Sequence, residues 1–378
     1  MRKEEPEDTR YVKIKNTDGQ AFIKQFKKNL QVIYKKMKVL HEDNFILFPI
    51  LDENEIVDIL KNQQFEYEII KRKGIIRNDY KFKSLKEALK NILPESLFHY
   101  IPNSYDIIGD IAILEFDKFN DLDAKIDDSL KIIIADALIS VNKKVKTIYE
   151  KTSEIKGEFR VRDLKFLKGK DKSETLYKEN GCSFKLDIKK IFFTPRLVFE
   201  RKRLATAPIS EGEVIFDLFS GVGPIAIQIA KRHKVMIHAF DINPVAYHYI
   251  KENISLNRLL GNVIPYNLDI SSLILPSSEI GKNIQNKADR IIMNLPEKAL
   301  NYINVACFLM KKSGGILHYY QFTEKPDVIE KTIENVKVTL SKFNYSIDKI
   351  LNSKIVKHFS PKSELVVLDL KLRSRTRV

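Results

Sequence analysis

The chain has 378 residues, 44% of them hydrophobic, which is enough for two or three domains with proper cores. Its formal net charge of +15 suits a polyanionic partner, most commonly nucleic acid, although a Lys-rich solvated surface explains the charge equally well. Cys182 and Cys307 are too few and too far apart for a disulfide framework, the seven histidines show no HExxH or Cys-His spacing, and no window nears the length of a membrane span. No metal and no membrane are expected.

In chain order, Met1 to Arg10 mixes both charges and lacks an apolar core, so it reads as neither a signal nor a transit peptide. A soluble, intracellular protein is the expectation. From Ala21 to Leu40, Phe22, Phe26, Leu30, Ile33, Tyr34 and Met37 recur at helical spacing among lysines, which predicts an amphipathic helix with a basic outer face. Further helices are predicted over Glu53 to Gln63 and Ser84 to Leu93. Pro94 and the polar Pro102 to Tyr105 stretch then mark a boundary.

A second unit begins with Ile107 to Phe116, strand-like around Gly109, followed by a helix over Asp127 to Val141. Strands are predicted over Val145 to Tyr149 and Gly157 to Leu167. In the latter, alternation puts Arg160 and Arg162 on one face. Thr175 to Leu186, with Asn180 and Gly181 between two short runs, reads as a β-hairpin.

The stretch from Val214 to Pro296 carries a nucleotide-site pattern. Val214 to Asp217 reads as a strand, Gly221 and Gly223 fall in a tight turn, and a helix opens at Pro224. Glycines there let backbone approach a ligand, and the helix start offers free N–H groups. Val235 to Phe240 is a second strand ending at Asp241, where a parallel sheet places an acceptor for ribose hydroxyls. A third strand, Asn262 to Leu268, ends in Asp269, with Pro265 suggesting an edge or a bulge. A fourth, Arg290 to Met293, ends in Asn294. Single acids often do no more than cap turns. Four polar strand ends at one sheet edge favour binding.

At these residues the sequence resembles a known family. Asp-Leu-Phe-Ser-Gly-Val-Gly-Pro over 217–224, Asp-Ile-Asn-Pro over 241–244 and Met-Asn-Leu-Pro over 293–296 are similar to segments of the tRNA guanine-37 N1-methyltransferases of archaea and eukaryotes. Two upstream segments, 157–162 around Arg160 and 192–203 around Glu200, match as well. The resemblance implies a Rossmann-like, S-adenosylmethionine-dependent methyltransferase domain acting on tRNA. By the same resemblance the cofactor-binding residues would be Arg201, Asp217, Gly221, Gly223, Asp241, Ile242, Asp269, Ile270 and Asn294.

Methylating N1 of guanine needs a base, because N1 bears a proton, and a positive group beside O6, where negative charge collects as that proton leaves. The resemblance implies Glu200 as the base and Arg160 as the partner of O6. Taken alone, Glu200 before Arg-Lys-Arg is an ordinary helical charge cluster. As a base, burial beside the purine would raise its pKa. Asn294 can accept from and donate to the purine edge. Where many relatives carry Tyr, this chain has Phe192 and Phe193, so any hydrogen bond from that phenol is lost.

Gly315 to Tyr320 is predicted as a fifth strand, Pro326 to Leu340 as a helix, and Ile347 to Lys354 with Leu365 to Leu372 as a closing hairpin. The expected architecture is an α/β chain: a helical, possibly tRNA-contacting N-terminal region (1–97), an α+β RNA-contacting domain contributing Arg160 (98–181), and a Rossmann-like methyltransferase domain (182–378). A cytoplasmic monomer is expected, with a nuclear or mitochondrial fraction left open. The alternatives are a wybutosine-pathway aminocarboxypropyl transferase and a non-catalytic tRNA-binding protein.

Overall fold

The computed structural model describes residues 8–375 apart from 27–32, 62–65, 78, 91, 117–127 and 359. Residues 1–101 with 136–142 cluster as one unit, and 102–135 with 143–378 as a second.

In the first unit, β1 (Asp8–Lys15), β2 (Leu40–Glu42), β3 (Phe45–Ile50) and β4 (Tyr67–Lys73) form an antiparallel sheet in the order β2-β3-β1-β4. Helices α1 (Gly19–Phe26), α2 (Glu53–Leu60) and α3 (Leu85–Leu89) accompany it. Val12 and Ile14 of β1 and Phe48 of β3 share a core cluster with Phe22 and Ile56. Helices α2 and α3 follow the sequence expectation, each opened by a side-chain cap, from Asp52 and Ser84.

The region expected to be helical therefore carries its helices on a sheet. Of the helix expected over Ala21 to Leu40, the part up to Phe26 is helix and 27–32 lie outside the described residues. Ile33 and Met37 instead make β-bridges with Ile50 and Ile76. Apolar spacing alone cannot tell a helix stripe from extended segments whose partners lie far along the chain, as Arg10 is paired with Ile50.

The second unit begins with a mixed sheet, β5-β6-β7-β8: β5 (Asp106–Ile108), β6 (Ile111–Leu114), β7 (Thr147–Lys151) and β8 (Leu164–Gly169). Gly109, at φ +61, turns β5 into β6, and α4 (Asp128–Val141) carries the chain between the parallel β6 and β7. The hairpin of β9 (Glu174–Glu179) and β10 (Cys182–Asp187) turns at Asn180 and Gly181, both at positive φ, as the Asn-Gly signal demands.

Helix α5 (Val198–Ala205) leads into a seven-stranded sheet ordered β13-β12-β11-β14-β15-β17-β16. Strands β11 (Val214–Asp217), β12 (Met236–Asp241), β13 (Asn262–Asn267), β14 (Arg290–Met293) and β15 (Gly315–Glu324) run parallel. The long closing hairpin, β16 (Tyr345–His358) and β17 (Ser363–Ser374), joins antiparallel. Strand β13, with Pro265 paired to Ala239, is the edge that its proline suggested.

Alternation along β11 sends Ile215 into one core and Phe216 into the other. Helices α6 (Ala226–Arg232) and α7 (Pro244–Ser255) contribute to the first, and α9 (Ile303–Leu309) and α10 (Val328–Ser341) to the second, with the short α8 (Glu279–Ile284). Parallel register lines up Asp217 of β11 with Ala239 of β12 and Ile292 of β14. The polar strand ends, Asp217, Asp241 and Asn294, consequently gather at one edge.

Candidate active site

The turn after β11 is assembled by the end of β12. Ser220 donates backbone N–H (2.8 Å) and hydroxyl (3.1 Å) to the Phe240 carbonyl, and Gly221 N–H donates to Asp241 Oδ2 at 2.7 Å. The other Asp241 oxygen accepts from Asn243 N–H at 2.8 Å. Each oxygen keeps a second acceptor site for a ligand. Burial raises the Asp241 pKa, against those two N–H donors.

The two glycines do different work. At Gly221 (φ +54) an added Cβ would meet nothing within 4 Å, so this face of the turn is open. At Gly223 (φ +82) it would lie 2.8 Å from Ile250 Cγ1, so this glycine lets the turn pack onto α7. Asp217 is fully buried and neither carboxylate oxygen makes a close hydrogen bond, although the Phe219 and Ala226 N–H groups face it and hold its pKa back. Burial, with Asp241 nearby, pushes its pKa up to about 7. An orphaned buried carboxyl beside an open glycine face fits a ligand rich in hydrogen-bond donors, as an adenosyl amino acid is.

Other expected contacts stand differently. Asp269 is exposed and caps the turn after β13 through Ser271 N–H at 2.9 Å, while Ile270 points into the second core. Ile242 is half-buried, its carbonyl accepting from the Asn267 amide at 3.0 Å. The expected cofactor contact from Arg201 is corrected by its partners. Its guanidinium is buried, donates to both Glu179 oxygens (2.5 and 2.6 Å) and to the Thr194 carbonyl (3.1 Å), and stacks on Phe193. The side chain locks α5 to the β9–β10 hairpin.

Arg160 does not lie on a strand face with Arg162, as the alternation had suggested. It sits in a turn, donating its N–H to the Gly157 carbonyl, in left-handed conformation at φ +56. Its Nη2 donates to Glu297 at 3.0 Å, its guanidinium packs 4.7 Å from the Phe192 ring centre, and its buried Nε has no partner. Burial pulls its pKa down while Glu297 pushes it back. With Phe192, Phe193 and Ile191, Arg160 lines a shallow recess that opens to solvent. Phe192 thus supplies a ring face with no hydroxyl.

Glu200 is 5% exposed. It accepts from Arg203 (Nε at 3.0 Å, Nη2 at 2.6 Å), from the Tyr320 hydroxyl at 2.6 Å and from Lys354 Nζ at 2.9 Å. Burial pushes its pKa up, as expected from sequence, yet these donors outweigh burial and the net direction is down. No local pattern signals that three groups from α5, β15 and β16 converge there. Behind it, Arg203 also pairs with Asp369, and His318 Nδ1–H donates to Asp369 at 2.6 Å while its Nε2 accepts from Arg290 at 2.9 Å.

The segment Asn294 to Glu297 links the two charged groups. Asn294 is half-buried at the end of β14, its amide without a hydrogen bond among the described residues, and Glu297 holds Arg160. Phe322 N–H donates to the Pro296 carbonyl at 3.2 Å, and Tyr320, two residues earlier on the same face of β15, holds Glu200. Sequence reasoning missed Glu297, Tyr320, Lys354 and Asp369. Only Glu297 had a usable signal, its place directly after the Asn-Leu-Pro segment. Among the described residues there is no cluster of metal-binding side chains and no helix long and apolar enough to cross a membrane.

Comparison with known proteins shows the family. A family profile described as the TRM5/TYW2 methyltransferase domain matches residues 175–348, and one described as the TYW2 N-terminal domain matches 85–172. The chain is 35% identical to the tRNA (guanine(37)-N(1))-methyltransferase Trm5b of Pyrococcus abyssi, covering 89% of this chain and 91% of the relative. It is 34% identical to the tRNA(Phe) (4-demethylwyosine(37)-C(7)) aminocarboxypropyltransferase of Methanocaldococcus jannaschii, covering 71% of this chain and 97% of that one. A solved complex of aTrm5 with tRNALeu is similar in structure, with a TM-score of 0.70 at 31% identity over 96% of this chain and 99% of the other.

Proposed function

The chain belongs to the TRM5/TYW2 methyltransferase family, and from that premise we propose how its residues divide one reaction. It is a tRNA (guanine-37 N1) methyltransferase that uses S-adenosylmethionine and acts beside the anticodon. The bound cofactor supplies an activated methyl group. Deprotonating N1, steadying O6 and aligning the purine fall to side chains of this chain.

In this reading Glu200 takes the N1 proton, and the electron pair it leaves spreads towards O6. Arg160 donates to O6, and its unpartnered Nε is a donor still to be used. Asn294 orients the purine edge through its amide. Asp241 accepts from the ribose hydroxyls, Gly221 lets the ligand approach the turn, and Asp217 takes a donor from the cofactor's amino-acid end. Ile242 and Asp269 flank the adenine, while Ile270 and Gly223 serve indirectly, through packing in the second core and on α7. Residues 1–97 and 98–181 contact tRNA, the second segment presenting Arg160, and 182–378 carry the methyl donor. The protein acts as a monomer in the cytoplasm.

The observation that carries the reading is the single segment Asn294 to Glu297, tied to Arg160 directly and to the strand holding Glu200. Incubation with unmodified tRNA and S-adenosylmethionine, followed by mass spectrometry of the nucleosides, tests it. N1-methylguanosine is expected. An aminocarboxypropyl product, or no product, overturns it.

A further inference from the structure

An ionised carboxylate offers about four acceptor sites, and Glu200 has all of them taken, by Arg203 Nε, Arg203 Nη2, the Tyr320 hydroxyl and Lys354 Nζ. A base that receives the guanine N1–H needs one released. The donors differ in how firmly they are held. Arg203 is fixed on its far side by Asp369, which His318 holds in turn. Tyr320 is buried in the sheet, on β15. Lys354 has a side chain 40% exposed and stands on β16, the edge strand, between register shifts at 350/352 and 355/357. Of the four, it is the donor that can withdraw into water without breaking a second contact.

We propose that Lys354 is a removable counter-ion that fills one acceptor site of Glu200 until the N1–H of the target guanine replaces it. The inference rests on Glu200 being the base. With Lys354 in place the carboxylate faces two cations and binds a proton weakly. Once Lys354 leaves, one cation remains, so proton affinity rises as the N1–H arrives. The N1–H bond breaks, its proton passes to Glu200 and its electron pair stays on the purine. The groups around Glu200 are Arg203 from α5, Tyr320 and His318 from β15, Lys354 from β16 and Asp369 from β17. Lys354 alone among them acts as the gate.

Single-turnover methylation of unmodified tRNA between pH 3.5 and pH 9 tests this, a range that reaches below the ordinary carboxylate value because the donors around Glu200 hold its pKa down in the free enzyme. The acid limb of kchem/Kd reports the free enzyme, and that of kchem reports the bound complex. Lys354→Met is expected to shift the limb of kchem/Kd upwards by about one pH unit, because the carboxylate of the free variant has lost one of its two cations and binds a proton more tightly. It leaves the limb of kchem where it was. Tyr320→Phe shifts both limbs, since the tyrosine stays, and Lys354→Arg restores the wild-type profile. Equal shifts of both limbs in Lys354→Met, or none in either, overturn the proposal, with Lys354→Gln as the second variant where Met alters the melting temperature. Full activity of Glu200→Gln would instead remove the base itself. A slow Glu200→Gln with unmoved Lys354→Met limbs would sink the gate alone.

Discussion

Gly221 reaches Asp241 across 20 residues of chain, whereas Glu200 reaches Tyr320 across 120, Arg160 reaches Glu297 across 137 and Arg203 reaches Asp369 across 166. The proposed methyl-donor crevice is made of backbone: a turn, two glycines and a carboxylate capped by N–H groups. The proposed base side is made of charged side chains that several elements must deliver together. A backbone crevice is specified by local residue choice and tolerates little change of shape. An ionic cluster is specified by tertiary packing and fails through uncompensated charge.

The largest expected effect falls on the base side. Glu200→Gln keeps size and removes the proton acceptor, so the single-turnover rate should drop about 10²- to 10⁴-fold with tRNA affinity little changed. Rapid-quench methylation and filter binding separate the two, and a wild-type rate would take Glu200 out of the chemistry. Arg201→Met tests charge that serves packing instead. It strands buried Glu179, which should cost about 3–5 kcal/mol of stability, measured by denaturant unfolding, while cofactor affinity per folded molecule stays near wild type. A selective loss of cofactor affinity would return Arg201 to the crevice.

Within the crevice, the glycines sharpen the contrast. Gly223→Ala meets both an unfavourable φ and the Ile250 side chain, and should destabilise by about 2–4 kcal/mol. Gly221→Ala meets only the φ penalty, about 1–2 kcal/mol, but places a methyl on the open face. Calorimetric titration should therefore show it losing cofactor affinity out of proportion to its melting temperature. Equal effects of the two changes on both readouts would mean that they share one role.

How much was legible in the sequence follows the same division. The strand, the turn and the Asn-Gly hairpin declare themselves within a few residues, and β11, β12, β14 and the closing hairpin lie where patterning puts them. The N-terminal sheet does not, since pairs such as Arg10 with Ile50 leave no local trace and lysines break the alternation. Glu200 and Arg160 stood out through their segments, but their partners did not. Nothing local in Tyr320 or Lys354 says that both point at Glu200, and so the direction of the Glu200 pKa came out reversed. Arg160 was placed on a strand because Glu158 to Arg162 alternates, while the chain there turns back on Gly157.

The smallest effect concerns Asp217, where the crevice itself carries an uncompensated group. Its folded pKa, pushed up to about 7 by burial, lies above the ordinary carboxylate value of 3.8. Between those values the folded state holds a proton that the unfolded chain has released, so stability falls as pH rises from about 4 to about 7 and levels off above. Asn mimics the protonated acid in shape and cannot ionise. Asp217→Asn should therefore match wild type near pH 4 and exceed it at pH 8 by on the order of 1–2 kcal/mol, less than the full shift because water and neighbouring dipoles relax around a buried charge. Urea unfolding across that range reads the gap directly. A gap that does not widen with pH would mean that Asp217 is ionised throughout, held by N–H groups of the turn in the way Asp241 is.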